Sequence, residues 1–119
     1  MVQFKPSASA FYTEINNTTA REAAAIGNVY HDLKKYDPKT TEEIQRTVAR
    51  YVTTVIGEEW VMLLHKKLSD NAWKYYRDVE VKLLHLETKD LLQEGFRSQM
   101  ILDWDIVGRS RAARFAAAA

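Results

Sequence analysis

Cysteine is absent from this 119-residue chain, which excludes a disulfide framework, a thiol nucleophile and a zinc ribbon. Glycine and proline are scarce, at four and two residues, and the alternation of apolar and polar residues that marks strands is missing. No apolar run approaches the roughly 18 residues that a membrane span needs. The start, Met1-Val2-Gln3-Phe4-Lys5-Pro6, lacks the apolar stretch of a signal peptide. Neither sign of charge is in surplus: 17 Lys and Arg against 16 Asp and Glu leave +1, without the basic footprint of a nucleic-acid binder. There is no Gly-rich phosphate loop, nucleophile elbow or His-Glu-x-x-His pair, so nothing specifies a cofactor or a metal.

What is present is helical periodicity over almost the whole length, in a chain sized for one domain with one core. The expected fold is all-α, an antiparallel up-down four-helix bundle. The first helix is read from about Ser7 to Tyr36, continuous through the polar patch Asn16-Asn17-Thr18-Thr19, and is stopped by Asp37-Pro38. The second opens on the capping box Thr40-x-x-Glu43 and runs to about Leu68, with Gly57 allowing close packing against a neighbour. The third, the shortest, starts after Ser69 or Asp70 and ends near Leu86. The fourth is capped by Thr88 and continues through Met100, Trp104, Val107, Arg111 and Phe115 to the alanine tail. That tail stops in mid-helix, as a piece of something longer would. Short connections make neighbouring helices antiparallel, so both termini are expected at one end, with Lys66 and Lys67 nearer to that end than Asp37-Pro38 is. Trp60, Trp73 and Trp104 are expected in the core or at helix contacts, because such rings dominate buried area.

Two carboxylates stand where a helix would bury an aliphatic residue. Glu22 lies on the stripe Ile15, Thr19, Glu22, Ile26, Val29, Leu33, and Glu59 on the edge of Val48, Val52, Val55, Ile56, Glu59, Leu63. A charge there is costly unless it is paired. Counting levels from the Asp37-Pro38 turn at about 1.5 Å per residue predicts that Glu59 meets Arg21 or Arg109. Glu22 is expected to accept a hydrogen bond from the indole of Trp60 or Trp104.

Other chemistry is thin. The residues three before His31, His65 and His85 are Asn28, Met62 and Lys82, so the Glu-x-x-His signature of di-iron bundles is missing, and the histidines read as surface residues. Glu58-Glu59 and Asp103-Trp104-Asp105 could hold a cation or serve as acid and base, but the simpler expectation is one solvent-facing acid and one ion-paired acid in each. Lys5, Lys66, Lys67, Arg109, Arg111 and Arg114 all map to the end where the termini emerge. They read either as membrane-proximal cations or, Lys5 excepted, as basic residues drawn to helix C-termini by the macrodipole.

The string Arg21-Glu22-Ala23-Ala24-Ala25-Ile26-Gly27-Asn28-Val29-Tyr30, followed by Tyr51, Glu59-Trp60 and the spaced Arg111 and Arg114, resembles the bacterial bestrophin-like membrane proteins of unknown function. In that family two transmembrane hairpins flank a soluble helical insert, and this sequence is similar to the insert, with neither hairpin. The resemblance implies no catalytic residue and no pore within these residues. It implies a non-catalytic extramembrane domain of a channel-like parent, partnered by its own transmembrane segments and by further copies of itself, with the membrane surface near the termini and the domain on the cytoplasmic side. A second reading is a helical sensor module binding a small ligand or cation at Glu22, Glu59 and Asp105. A small bundle enzyme is the weakest reading.

Overall fold

Helix starts and stops are set by a few side chains. A computed structural model describes residues 8–118, with side chains from residue 17 onward. Ser7, Lys5 and the side chain of Ile15 lie outside the described residues. Helix α1 spans Ala8–Leu33 without a break at Asn16-Asn17-Thr18-Thr19. Helix α2 spans Pro38–Thr54, passes into a π-helical turn over Val55–Glu59, and continues as α3, Trp60–Leu63. Helices α4 and α5 span Asp70–Leu84 and Leu91–Ala118. The described residues are therefore all-helical and form four rods, of which the third is the shortest.

The caps differ from expectation in three places. At α2 the N-cap is Asp37, whose carboxylate accepts from the Lys39 N–H at 3.0 Å while Pro38 takes the first helical position, where no N–H is needed. Thr40 does not cap, and the Glu43 side chain instead meets Lys82 at 3.5 Å. The second rod ends at Leu63 rather than Leu68. There Lys66 adopts φ 57°, with Lys67 N–H on Met62 O and Lys66 N–H on Leu63 O, the 6→1 and 5→2 bonds of a Schellman motif. At α5 the cap is Asp90, which accepts from the Gln93 N–H at 2.8 Å, and not Thr88. Ser69 caps α4 as expected, accepting from Ala72 N–H at 3.1 Å.

Helix α1 lies along α5, and α2 lies along α4, which also packs on α5. In each pairing the chains run in opposite directions. Tyr36 and Lys35 meet Gln93 at one end of α1–α5, and Glu22 meets Arg114 farther along. Lys82 and Asn71 of α4 reach Glu43 and Glu58 of the second rod. Arg97 reaches Leu84, and Arg111 reaches Ser69. These contacts set the Lys66-Lys67 loop beside the C-terminal part of α5, away from the Asp37 turn.

The core gathers Val29, Leu33, Val48, Tyr51, Val79, Leu83, Met100, Trp104 and Val107, all almost free of solvent. Trp104 and Tyr76 stack at 5.4 Å between ring centroids and exchange hydrogen bonds, Trp104 Nε1 to Tyr76 O at 3.0 Å and Tyr76 OH to Trp104 O at 3.4 Å. A Cβ on Gly108 would collide with the Tyr76 hydroxyl, so this glycine admits the ring. Gly57, by contrast, has nothing within 4 Å, and the close packing expected there does not occur. Of the three tryptophans only Trp104 is buried. Trp60 and Trp73 are 40% and 47% exposed. Among the described residues, no helix is long and apolar enough to cross a membrane.

Candidate functional site: a buried ladder of carboxylates and guanidiniums

On α5 the buried positions Met100, Trp104, Val107, Arg111 and Arg114 follow spacings of four and three, so the two arginines continue the apolar stripe of the helix into the core. Glu22 does the same on α1. The π turn carries Glu59, which has no solvent exposure at all. Those four side chains meet beside Ser69, where the loop after the second rod leads into α4.

Arg111 Nε lies 2.9 and 3.1 Å from the two oxygens of Glu59, and its Nη2 lies 2.7 Å from Oε2, a two-pronged pair. The same Nη2 donates to Ser69 O at 3.1 Å, and the Ser69 N–H donates to Glu59 Oε2 at 2.9 Å. Ser69 thus ties the α4 cap to the pair. The Arg111 guanidinium also lies 5.5 Å from the centroid of the Trp73 ring. Arg114 Nη1 donates to Glu22 Oε2 at 2.5 Å, and its Nη2 stands 3.9 Å from Glu59 Oε1. The order Glu22, Arg114, Glu59, Arg111 is an alternating ladder with zero net charge, and it joins α1, the π turn and α5.

Burial pushes the Glu22 carboxyl above its usual range, against the opposing pull of Arg114. The Tyr51 phenol is also raised, first by burial and then by the charge of Glu22. Three polar atoms here have no hydrogen-bond partner: Tyr51 OH, Arg114 Nε and Arg114 Nη2.

The ladder corrects the expected pairings. Glu59 meets Arg111, not Arg21 or Arg109. Arg21 is exposed, and it shares a surface cleft with Arg109. Arg109 pairs with Asp105 at 2.9 Å, both largely in solvent. Glu22 takes its hydrogen bond from Arg114, while the Trp104 indole is committed to Tyr76 O. Arg111 and Arg114 are 7% and 3% exposed, so they are not membrane-facing cations; Lys66 and Lys67 are exposed. Asp105 stands apart from Glu22 and Glu59, so the three do not form a cation site. Among the described residues there is no group of three or more histidine or acidic side chains that could hold a metal. The three histidines are all exposed. The sequence reading placed Ser69 as a cap, Tyr51 in the family string and Asp103 in an acid pair, but did not connect Ser69 or Tyr51 with the two buried acids.

Beside the ladder, α1, α2 and the π turn enclose an open, largely apolar cavity of about 510 Å³. Glu22 and Tyr51 belong to its lining, with Trp60 and Ile56 from the second rod.

A family model described as the Bestrophin-like domain matches residues 8–119. No curated protein matches the chain, and no solved structure matches it. The match takes in all four members of the ladder and nearly the full length of the sequence: the chain belongs to the bestrophin-like family.

Proposed function

We propose that this chain is a non-catalytic extramembrane domain of a membrane-associated, channel-related bacterial protein, folded as an antiparallel up-down bundle and serving a structural or oligomerisation role. One observation carries the reading: the family match spans residues 8–119, yet none of the described helices is apolar enough to cross a bilayer. In a membrane-associated family such a segment stands outside the lipid.

The ladder supports a role in holding geometry. Buried ion pairs are weak sources of net stability, but breaking one leaves an unmatched charge. They therefore resist slippage of one helix past another. Here they fix α1 and α5 against the π turn, at the end that would face the parent's own transmembrane segments. The same end carries Ile56, Trp60, Val61 and Leu64, all exposed, next to Lys66 and Lys67. Aromatic and basic residues side by side suit a lipid headgroup layer or a neighbouring copy. Basic flanks favour the cytoplasmic side.

The test uses the full-length gene product that contains this sequence, with a topology reporter inserted at Lys66-Lys67. Recovery in the membrane fraction with a cytoplasmic signal is the expected result. A full-length product that is wholly soluble overturns the membrane placement, and a signal from the opposite side overturns the cytoplasmic assignment.

A further inference from the structure

We infer that the cleft between α1 and α5 that carries Arg21, Arg109 and Ser110 is a binding site for a phosphate monoester, either a free small molecule or a lipid headgroup. This inference does not depend on the membrane placement above.

The cleft has a volume of about 310 Å³, with Thr18 and Arg21 on the α1 wall and Ile106, Arg109, Ser110 and Ala113 on the α5 wall. That is the lower end of the range of about 300–1,000 Å³ usual for small-molecule sites. Two guanidiniums, one from each helix, thus flank one opening. Like charges set around one opening repel, and an anion between them removes the repulsion. Among the described residues no acid lies within ion-pair distance of Arg21. Arg109 has one, Asp105 at 2.9 Å, and both partners are largely in solvent. An exposed pair of that kind holds weakly and leaves most of the guanidinium N–H groups to water. The third donor is Ser110. It is 4% exposed, yet none of the hydrogen bonds among the described residues uses its hydroxyl, as the back-bonded Thr47 and Thr53 use theirs. A nearly buried hydroxyl without a partner is costly, and a ligand that brings an acceptor removes the cost.

Charge and shape select the ligand. No acid lines the cleft, so nothing there favours a cation. A carboxylate brings two oxygens in one plane and serves two donors. A phosphate monoester brings three terminal oxygens in a tetrahedral array, one each for Arg21, Arg109 and the Ser110 hydroxyl. Guanidinium forks suit phosphate oxygens. The ester is close to doubly charged at neutral pH, which offsets both arginines. Ile106 and Ala113 supply an apolar wall for the carbon group that the ester carries. The ladder does not compete for the ligand, because Arg111 and Arg114 are already committed to Glu59 and Glu22.

The test is a titration of the 119-residue chain with phenyl phosphate at pH 7.5, read by amide chemical shifts. Saturable shifts at Arg21, Arg109 and Ser110 are expected, with benzoate binding about tenfold more weakly. Arg21→Ala and Arg109→Ala, both at exposed positions, should each weaken phenyl phosphate by about tenfold while the melting temperature stays in place. Ser110→Ala should weaken it by about threefold. Asp105→Asn releases Arg109 and should tighten binding by about twofold to threefold. A Lys66→Ala, Lys67→Ala double variant, which alters net charge away from the cleft, should bind as wild type does. Four results overturn the inference: no saturable shifts, benzoate binding as tightly as the phosphate, unchanged affinity in either arginine variant, or a loss in the lysine variant equal to that in the arginine variants. Co-sedimentation with phosphatidylcholine vesicles containing phosphatidic acid, against vesicles of equal charge containing phosphatidylserine, separates the two sources. Preference for phosphatidic acid that Arg21→Ala abolishes makes the ligand a lipid headgroup; saturable phenyl phosphate binding without that preference makes it a free ester.

Discussion

At the scale of single residues the ladder makes the sharpest distinction. Glu59→Gln leaves the Arg111 guanidinium buried without its counter-charge, and the expected loss is about 3–5 kcal/mol of unfolding free energy in urea titration. Arg109→Ala breaks only the solvent-exposed pair with Asp105, and the expected change is about 0–1 kcal/mol. Glu22 gives a pH signature. Its carboxyl titrates above the unfolded value of 4.5, so between these two points the folded state holds a proton that the unfolded state has released. Stability from this group is therefore greatest below about pH 4.5 and declines as pH rises through the folded value. The stability of wild type relative to Glu22→Gln should fall over that window in urea midpoints measured from pH 4.5 to 7; a flat or rising difference would contradict the burial of Glu22 as its main perturbation. Both acids were legible in the sequence, because a charge on an apolar stripe is visible as a break in spacing. Their partners were not, for two physical reasons. Height along an axis ignores direction around it, and Arg109, two residues from Val107 and Arg111, faces away from the core that they share. Helical side chains also lean toward the helix N-terminus, so an arginine reaches acids below its own level. The signal that could have found Arg111 and Arg114 was present all along in the spacing Met100, Trp104, Val107, Arg111, Arg114.

At the scale of elements, helix existence and order were readable, since amphipathic spacing recurs in every rod. Their ends were less so. Thr40, Leu68 and Thr88 were plausible boundaries, but Asp37 beside Pro38, the Schellman turn at Lys66 and Asp90 win, because caps depend on local backbone geometry that several neighbouring polar residues could satisfy. The π turn left no mark on the sequence except Gly57, whose absence of neighbours shows that it is not a packing glycine. Three substitutions follow from these details. Gly108→Ala drives a methyl into the Tyr76 ring and should cost about 1–3 kcal/mol, whereas Gly95→Ala, with open space around it in α5, should raise stability by about 0.5–1 kcal/mol. Thermal melts of the two variants should move in opposite directions. Lys66→Gly removes the side chain from a left-handed position and should stabilise the chain by about 1 kcal/mol. A lower melting temperature for Lys66→Gly would mean that the turn is held by more than its Schellman bonds.

At the scale of the whole molecule the helices make an elongated body, 62 × 26 × 16 Å, with a radius of gyration of 16.4 Å. A compact chain of this length would have about 13–14 Å. The side-by-side placement of the first and last helices was foreseen from the count of short connections; the elongation was not, since it depends on how far each rod overlaps its neighbour. The most extensive pairing is that of α1 with α5. A chain ending after Asp90 lacks α5, and with it both arginines of the ladder and the cover over Val29 and Leu33. It should show no cooperative thermal transition by circular dichroism, and a sharp transition would mean that α1 to α4 fold without the last helix. The same pairing imposes an order on biosynthesis. Of the four rods, the one made first finds its main partner only in the one made last, which begins roughly sixty residues later. At 5–20 residues per second that is a wait of about 3–12 s, during which the apolar stripe of α1 and the charge of Glu22 are uncovered together. Until Arg114 is made, Glu22 lacks the guanidinium that it meets in the folded chain.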